Sequence, residues 1–308
     1  MKTVIAILCS DLHLRHTVPP ARAAEPDWYA AMGRVLDQLR AAQAEHGGCP
    51  IIIAGDIFHK WNSPAELINW AIANMPSEVY AIPGQHDLPF HNLDDIKKSA
   101  YWTLVAAGAI TDLDEMRRPT VGRMPYVELY PFPWGSAVGL GPTKRRDDTI
   151  RVAVVHAYIH KGGSSQHVGA SPDDHIDAYA ERLNGFDIAL FGDNHYPFTE
   201  KTSTGCTVVN SGGMMLTSSD AKSGSPGFSL LFSDGSVERV AFDTSADLWS
   251  DESLVGTIAD DAEIGHDLIE SLTNLAAVSL DYRQSVRDFL KHCPQTAGVS
   301  ELLLGAIE

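Results

Sequence analysis

A chain of 308 residues with 44% hydrophobic side chains can bury a large core, which excludes a disordered or fibrous protein. The longest early apolar run, residues 4–9, is cut off by Asp11 and His13 and is too short for a membrane span or an export signal, so an unexported, cytoplasmic protein with no membrane partner is expected. The four scattered cysteines (Cys9, Cys49, Cys206, Cys293) have no Cys-x-x-Cys spacing and argue for reduced thiols, while the net charge of −17 argues against a uniformly basic nucleic-acid surface.

In chain order, residues 3–9 read as an apolar strand, followed by Asp11-Leu12-His13. Alternation sends Asp11 and His13 to one side, at the carboxyl edge of a sheet where α/β ligand sites form. Residues 28–45 carry apolar side chains at helical spacing. Residues 51–54 form a second strand that ends in Gly55-Asp56-Ile57-Phe58-His59, where a glycine lets the chain turn sharply and the Asp56 carboxylate bridge two cations. A helix at 65–74 precedes a third strand at 79–82, which ends in Pro83-Gly84-Gln85-His86-Asp87. An ordinary turn rarely packs an amide, an imidazole and a carboxylate into consecutive positions.

Residues 93–107 are apolar on one face, and the stretches 118–142 and 161–174 are rich in Pro, Gly and polar residues and read as loops. The strand at 151–156 ends in His156, and the strand at 188–191 ends in Gly192-Asp193-Asn194-His195. A further strand at 206–209 precedes a hairpin at 228–232 and 237–242 around Asp234-Gly235. This alternation predicts an α/β domain over 1–243. Residues 244–308, with Ile264, Leu268, Leu272, Ala276 and Leu280 at helical spacing, predict a small acidic helical appendage. From Asp243 onward there are 13 Asp/Glu against 3 Lys/Arg, so −10 of the net charge lies away from the motifs. Each motif alone fits a polar turn, but five strands ending in His or Asp make a joint pattern that coincidence explains poorly.

The series Asp-x-His, Gly-Asp, Gly-Gln-His-Asp, a strand-end His and Gly-Asp-Asn-His resembles the calcineurin-like metallophosphoesterases over residues 3–243. The resemblance implies a β-sandwich flanked by helices and a dinuclear site. Asp11, His13 and His195 would bind one metal, His156 the other, and Asp56 both. His86 would be the general acid, held by Asp87, and the Asn210-Ser211-Gly212-Gly213 turn looks like the family's segment after its last motif. Gln85 stands where the family has Asn and Asp193 where it has His, and both are expected at the second metal.

Gly55-Asp56-Ile57-Phe58-His59 is similar to the SbcD-type DNA repair exonucleases, as is Leu129-Tyr130-Pro131-Phe132-Pro133, and it is unlike the Ser/Thr protein phosphatases. That likeness implies DNA as substrate, manganese as the cofactor with magnesium, iron or zinc as alternatives, an SbcC-type ATPase partner and a homodimer formed through 93–107. His59 would position substrate. Lys97, Lys98, Arg117, Arg118, Arg123 and Lys144-Arg145-Arg146 are available for a backbone track. Two other readings stay open: a small-nucleotide phosphatase or phosphodiesterase, which the acidic charge favours, and a non-catalytic phosphate-binding subunit.

Overall fold

The computed structural model describes residues 2–113, 119–122, 125–142, 148–167, 169–218 and 224–250. Two six-stranded sheets face each other. The first contains β1 (Val4–Cys9), β2 (Ile51–Ala54), β3 (Val79–Ile82) and β4 (Thr111–Asp112), all parallel. The antiparallel hairpin β11 (Gly227–Phe232) and β12 (Val237–Ala241) extends it beyond β1. The second runs in the order β5 (Thr120–Val121), β6 (Tyr126–Phe132), β7 (Thr149–His156), β8 (Ile188–Gly192), β10 (Thr207–Asn210), β9 (Phe198–Lys201). Its central pairs β6/β7, β7/β8 and β8/β10 are parallel.

Alternation within each strand divides the core into layers. Ile52, Ala54, Leu8, Val152, Val154 and Leu190 meet between the sheets, while Ile7, Cys9, Ile51 and Ile53 point to the opposite face of the first sheet. There they pack on Met32, Leu36 and Leu39 of α1 (Trp28–Glu45), Leu67 and Ala71 of α2 (Ala65–Asn74), and Tyr101 and Leu104 of α3 (Ala100–Ala106). With both faces covered, β1 and β2 need unbroken apolar runs, which is what they contain. Asp27 starts α1 by accepting from Ala30 N at 3.0 Å, and Ser99 starts α3 by accepting from Trp102 N at 3.1 Å. On the far face of the second sheet, Ala153, Val155, Phe191 and Val208 pack with Ile176 of α4 (Ile176–Tyr179), Leu183 and Phe186.

The expected strands and the first two helices are present. The stretch 118–142, expected as loop, contains β5 and β6 instead. Pro131 concealed β6, because proline cannot donate to a ladder. Among the described residues β5 pairs with β6 at Val127 and Glu128, and Pro131 is matched to Val154 of β7. The apolar face of 93–107 is used within the chain, with Ala100, Tyr101 and Leu104 buried under the first sheet. Residues 244–250 run against the segment before α1: Arg22 Nε donates to Leu248 O at 3.2 Å, and Asp247 lies 3.0 Å from Arg22 and 2.9 Å from Arg34. The expected helix around Ile264 to Leu280, and Arg117, Arg118, Arg123 and Lys144 to Arg146, lie outside the described residues. Among the described residues no helix is long and apolar enough to cross a membrane.

Ile52 is fully buried between the sheets in the strand that leads to Asp56. Ile52→Ala should lower the unfolding free energy by about 2–5 kcal/mol, read from the midpoint in a denaturant titration. A loss below about 0.5 kcal/mol, typical of a surface change, would contradict this packing.

Candidate metal centre

Five loops leave the carboxyl ends of parallel strands and converge. His156, the last residue of β7, donates from Nδ1 to Ala54 O at the end of β2 at 2.6 Å, joining the two sheets at this edge. Four site residues adopt left-handed backbone, Asp11 (φ 56), His13 (φ 46), Asp56 (φ 54) and Asp193 (φ 90). Non-glycine residues held in that region carry strain that the surrounding structure must support. The support is visible: Asp11 N donates to Gly55 O at 3.1 Å, His13 N to Asp56 O at 2.9 Å and Leu14 N to Ile57 O at 2.8 Å. The first two motif loops therefore brace each other. Close approach explains the two glycines beside them, since a Cβ on Gly55 would strike the His156 ring and one on Gly84 would strike the Asp56 carboxylate.

The side chains form two sets that share Asp11. Asp11, His13 and His195 offer donor atoms within 4.8 Å of one another, as do Asp11, Asp56 and His156. His13 Nε2 lies 3.2 Å from His195 Nε2 and 3.7 Å from Asp56 Oδ2, and His156 Nε2 lies 3.5 Å from the same Asp56 oxygen. Asp11 and Asp56 are each 1% exposed, whereas the His195 side chain is 58% exposed, so the sets open to solvent on the His195 side.

The donor chemistry fits cations. Gln85 Oε1 sits 2.5 Å from His156 Nε2, and two lone-pair atoms that close require a proton or a metal ion between them. The same holds for the facing ring nitrogens of His13 and His195. Two buried carboxylates side by side also require positive charge nearby. Without cations, the groups perturb one another strongly. Burial raises the Asp11 carboxyl, a push that His195 and His156 oppose and Asp56 reinforces. Burial would raise Asp56 too, but His156, His13 and His86 hold it well below the usual carboxylate range. Burial disfavours charge on His156, yet Asp56, Asp11 and Asp193 lift its pKa to about 10. His13 is lowered by burial despite the Asp56 carboxylate, because His195, His86 and His59 crowd it.

Gln85 and Asp193, the two departures from the motif series, are bonded to each other. Gln85 Nε2 donates to Asp193 Oδ1 at 2.6 Å, which turns Oε1 toward His156. The Asp193 carboxylate joins neither donor set; its backbone N–H donates to both Asp11 oxygens, at 3.0 and 3.1 Å.

The expectation that Asp87 holds His86 is corrected. Asp87 accepts from Phe58 N at 2.9 Å, Gly84 N at 3.0 Å and Ile57 N at 3.2 Å, so its fully buried carboxylate ties the loop after β2 to the loop after β3. Burial and Asp56 raise its pKa to about 7, against those three N–H donors. His86 is held by main chain: Nδ1 donates to His59 O at 2.9 Å, and its backbone N donates to Asp56 Oδ1 at 3.0 Å. The His59 ring stacks on His86 with centroids 5.4 Å apart, and with His13 these rings form a third cluster. Burial, then Arg15 and His86, lower the His59 pKa to about 3, so this ring is neutral.

Some residues near the site were not singled out by sequence. Trp134 sets its ring edge-to-face against His156 at 6.3 Å, and its only signal is its place after Leu129-Tyr130-Pro131-Phe132-Pro133. Asn194 donates to Ile159 O at 2.7 Å and Ser165 O at 2.8 Å, anchoring the loop that carries His195. Asn210, in the turn noted for its family likeness, secures the same loop through Asn194 O at 2.8 Å and Tyr196 O at 2.9 Å.

Comparison with known proteins places this arrangement. Solved structures that align with the chain include a Thermus thermophilus protein (12% identity, 78% of this chain and 100% of that one, TM-score 0.45) and the calcineurin-like phosphoesterase YfkN from Bacillus subtilis (13%, 82% and 94%, TM-score 0.44). A 5′-nucleotidase precursor, also from Thermus thermophilus, aligns at 13% identity over 79% of this chain and 54% of that one, with a TM-score of 0.43. No curated protein matches the chain. The model of the calcineurin-like phosphoesterases matches residues 6–197, more than half of the chain and every strand-end motif from Asp11 to His195. The chain belongs to the calcineurin-like phosphoesterase family and is a metal-dependent phosphoesterase.

Proposed function

We propose that this phosphoesterase hydrolyses phosphodiesters and that its substrate is DNA, cut as an SbcD-type exonuclease or endonuclease in repair or recombination. The observation that carries the two-cation chemistry is the Asp56 Oδ2 atom, 3.7 Å from His13 Nε2 and 3.5 Å from His156 Nε2, which lies between a histidine of each donor set while Asp11 belongs to both sets. In this reading Asp11, His13 and His195 would hold one divalent cation and His156 and Gln85 the other, with Asp56 available to both. Asp193 orients Gln85, and its carboxylate charge biases the second position toward a hard cation such as manganese or magnesium. Cations so held would supply Lewis-acid stabilisation of the phosphoryl oxygens and lower the pKa of water. Water attacks phosphorus in line, and His86 donates a proton to the departing oxygen. The His59 carbonyl holds the proton on His86 Nδ1, which leaves Nε2 as the working nitrogen.

The DNA reading is supported by the Gly55-to-His59 motif and by His59, whose ring lies at the site against His86. An SbcC-type ATPase and a second copy of the chain are the partners this reading implies. A small-nucleotide phosphatase or phosphodiesterase is the second reading, favoured by the net charge of −17.

Chelation should abolish activity. His86→Ala should retain bound metal and lose about 10²- to 10⁴-fold in turnover on an alkyl diester, with a smaller loss on an aryl diester whose leaving group needs less protonation. Wild-type turnover of the alkyl diester by this variant would refute the assigned role.

With manganese, the enzyme should degrade linear double- or single-stranded DNA, and DNA affinity should fall as salt rises and counterion release is weakened. Efficient hydrolysis of a cyclic nucleotide or dinucleotide, with no cleavage of any DNA form, would overturn the DNA reading in favour of the second.

A further inference from the structure

Two chain segments that bring histidines to the centre go on to present a second aromatic pair. His59 and His86 stack at 5.4 Å; two residues beyond the first and four beyond the second, Trp61 and Phe90 meet with ring centroids 5.8 Å apart and planes tilted by 49°. Phe90 is 82% exposed, the most exposed of the large hydrophobic side chains described. Its backbone is left-handed (φ 52, ψ 32), and His91 follows at φ 58. A bulky residue is a poor choice for that conformation and an apolar one for that exposure, so folding alone accounts for neither. The turn is nonetheless anchored: His91 N donates to Leu88 O at 3.2 Å, Asn92 N to Pro89 O at 3.0 Å, and buried Leu88 and Pro89 precede it. On its other side His91 approaches Trp134 at 6.4 Å, and Trp134 in turn lies against His156. The exposed ring is thus carried on a hydrogen-bonded turn of the segment that holds His86.

We propose that Phe90, supported by Trp61, is a stacking platform for an unpaired nucleobase of the substrate whose phosphate reacts beside His86. This rests on the phosphodiesterase reading above and gives it a specificity determinant. A flat, exposed ring on the turn that follows His86 matches a ligand that carries a π-face next to a phosphate, as every nucleotide does. The base can come from a single-stranded end or from a free nucleotide.

The test is equilibrium binding by fluorescence anisotropy to the manganese-loaded enzyme. The probes are a hydrolysis-resistant phosphorothioate hexathymidylate and an abasic strand of equal length and charge, with thymidine monophosphate as competitor. Wild type should favour the base-bearing strand by about tenfold, the scale of stacking one base on an aromatic ring. Phe90→Ala should bring the ratio close to one with little change for the abasic strand, and Phe90→Tyr should restore it. Displacement by thymidine monophosphate with the same Phe90 dependence would assign the platform to free nucleotides. Equal wild-type affinity for both strands, equal losses on both in Phe90→Ala, an unchanged ratio in that variant or no binding of either strand would each overturn the proposal. Base-selective binding that depends on Phe90, without cleavage of unmodified DNA, would leave the platform standing while removing the nuclease reading.

Discussion

The structure depends on keeping two carboxylates, Asp11 and Asp56, side by side and out of water. Burying one ionised carboxylate costs several kcal/mol, and a pair of them repel, so the arrangement is tolerable only with positive charge nearby. His13, His156 and His195 surround the pair; Asp11 belongs to both donor sets, and an Asp56 oxygen lies between His13 of one set and His156 of the other. Imidazoles can supply that charge only by taking protons, whereas divalent cations supply it permanently. This is why the donor set reads as a metal centre and not as a network of ordinary ion pairs.

The sandwich meets the geometric demand. Parallel β1, β2 and β3 deliver Asp11, Asp56 and His86 to one edge of the first sheet, and parallel β7 and β8 deliver His156 and His195 to the corresponding edge of the second. The His156-to-Ala54 bond closes the seam between them. The strained turns at Asp11, His13 and Asp56 survive because they are hydrogen-bonded to one another, and Asp87 locks two loops with three main-chain bonds. A site built in this way fixes its side chains by the loops beneath them, as preorganised catalysis requires.

Much of this was legible in the sequence because strand-end positions in an α/β fold have a restricted meaning. An Asp or His after an apolar run, repeated on five strands, marks Asp11, His13, Asp56, His156 and His195 as candidate ligands, and the fold brings these side chains together. Less visible was what local sequence does not encode. Asp87 follows His86 directly, yet a 3₁₀ turn points its carboxylate back toward Ile57 and Phe58, thirty residues upstream. The mutual bond of Gln85 and Asp193 spans 108 positions and depends on both sheets. Strand β6 is concealed by Pro131, a residue that interior strands seldom hold because it cannot donate to the ladder.

The central claim, that Asp56 joins two cation sites, is tested most directly by counting metal. Purified wild-type protein equilibrated with manganese should hold two ions per chain by mass spectrometry of the metal and by calorimetry. Asp56→Asn, which keeps the shape and removes the charge, should lose at least one of them while remaining folded. One ion or none in the wild type, or two ions held with unchanged affinity in Asp56→Asn, would contradict the account.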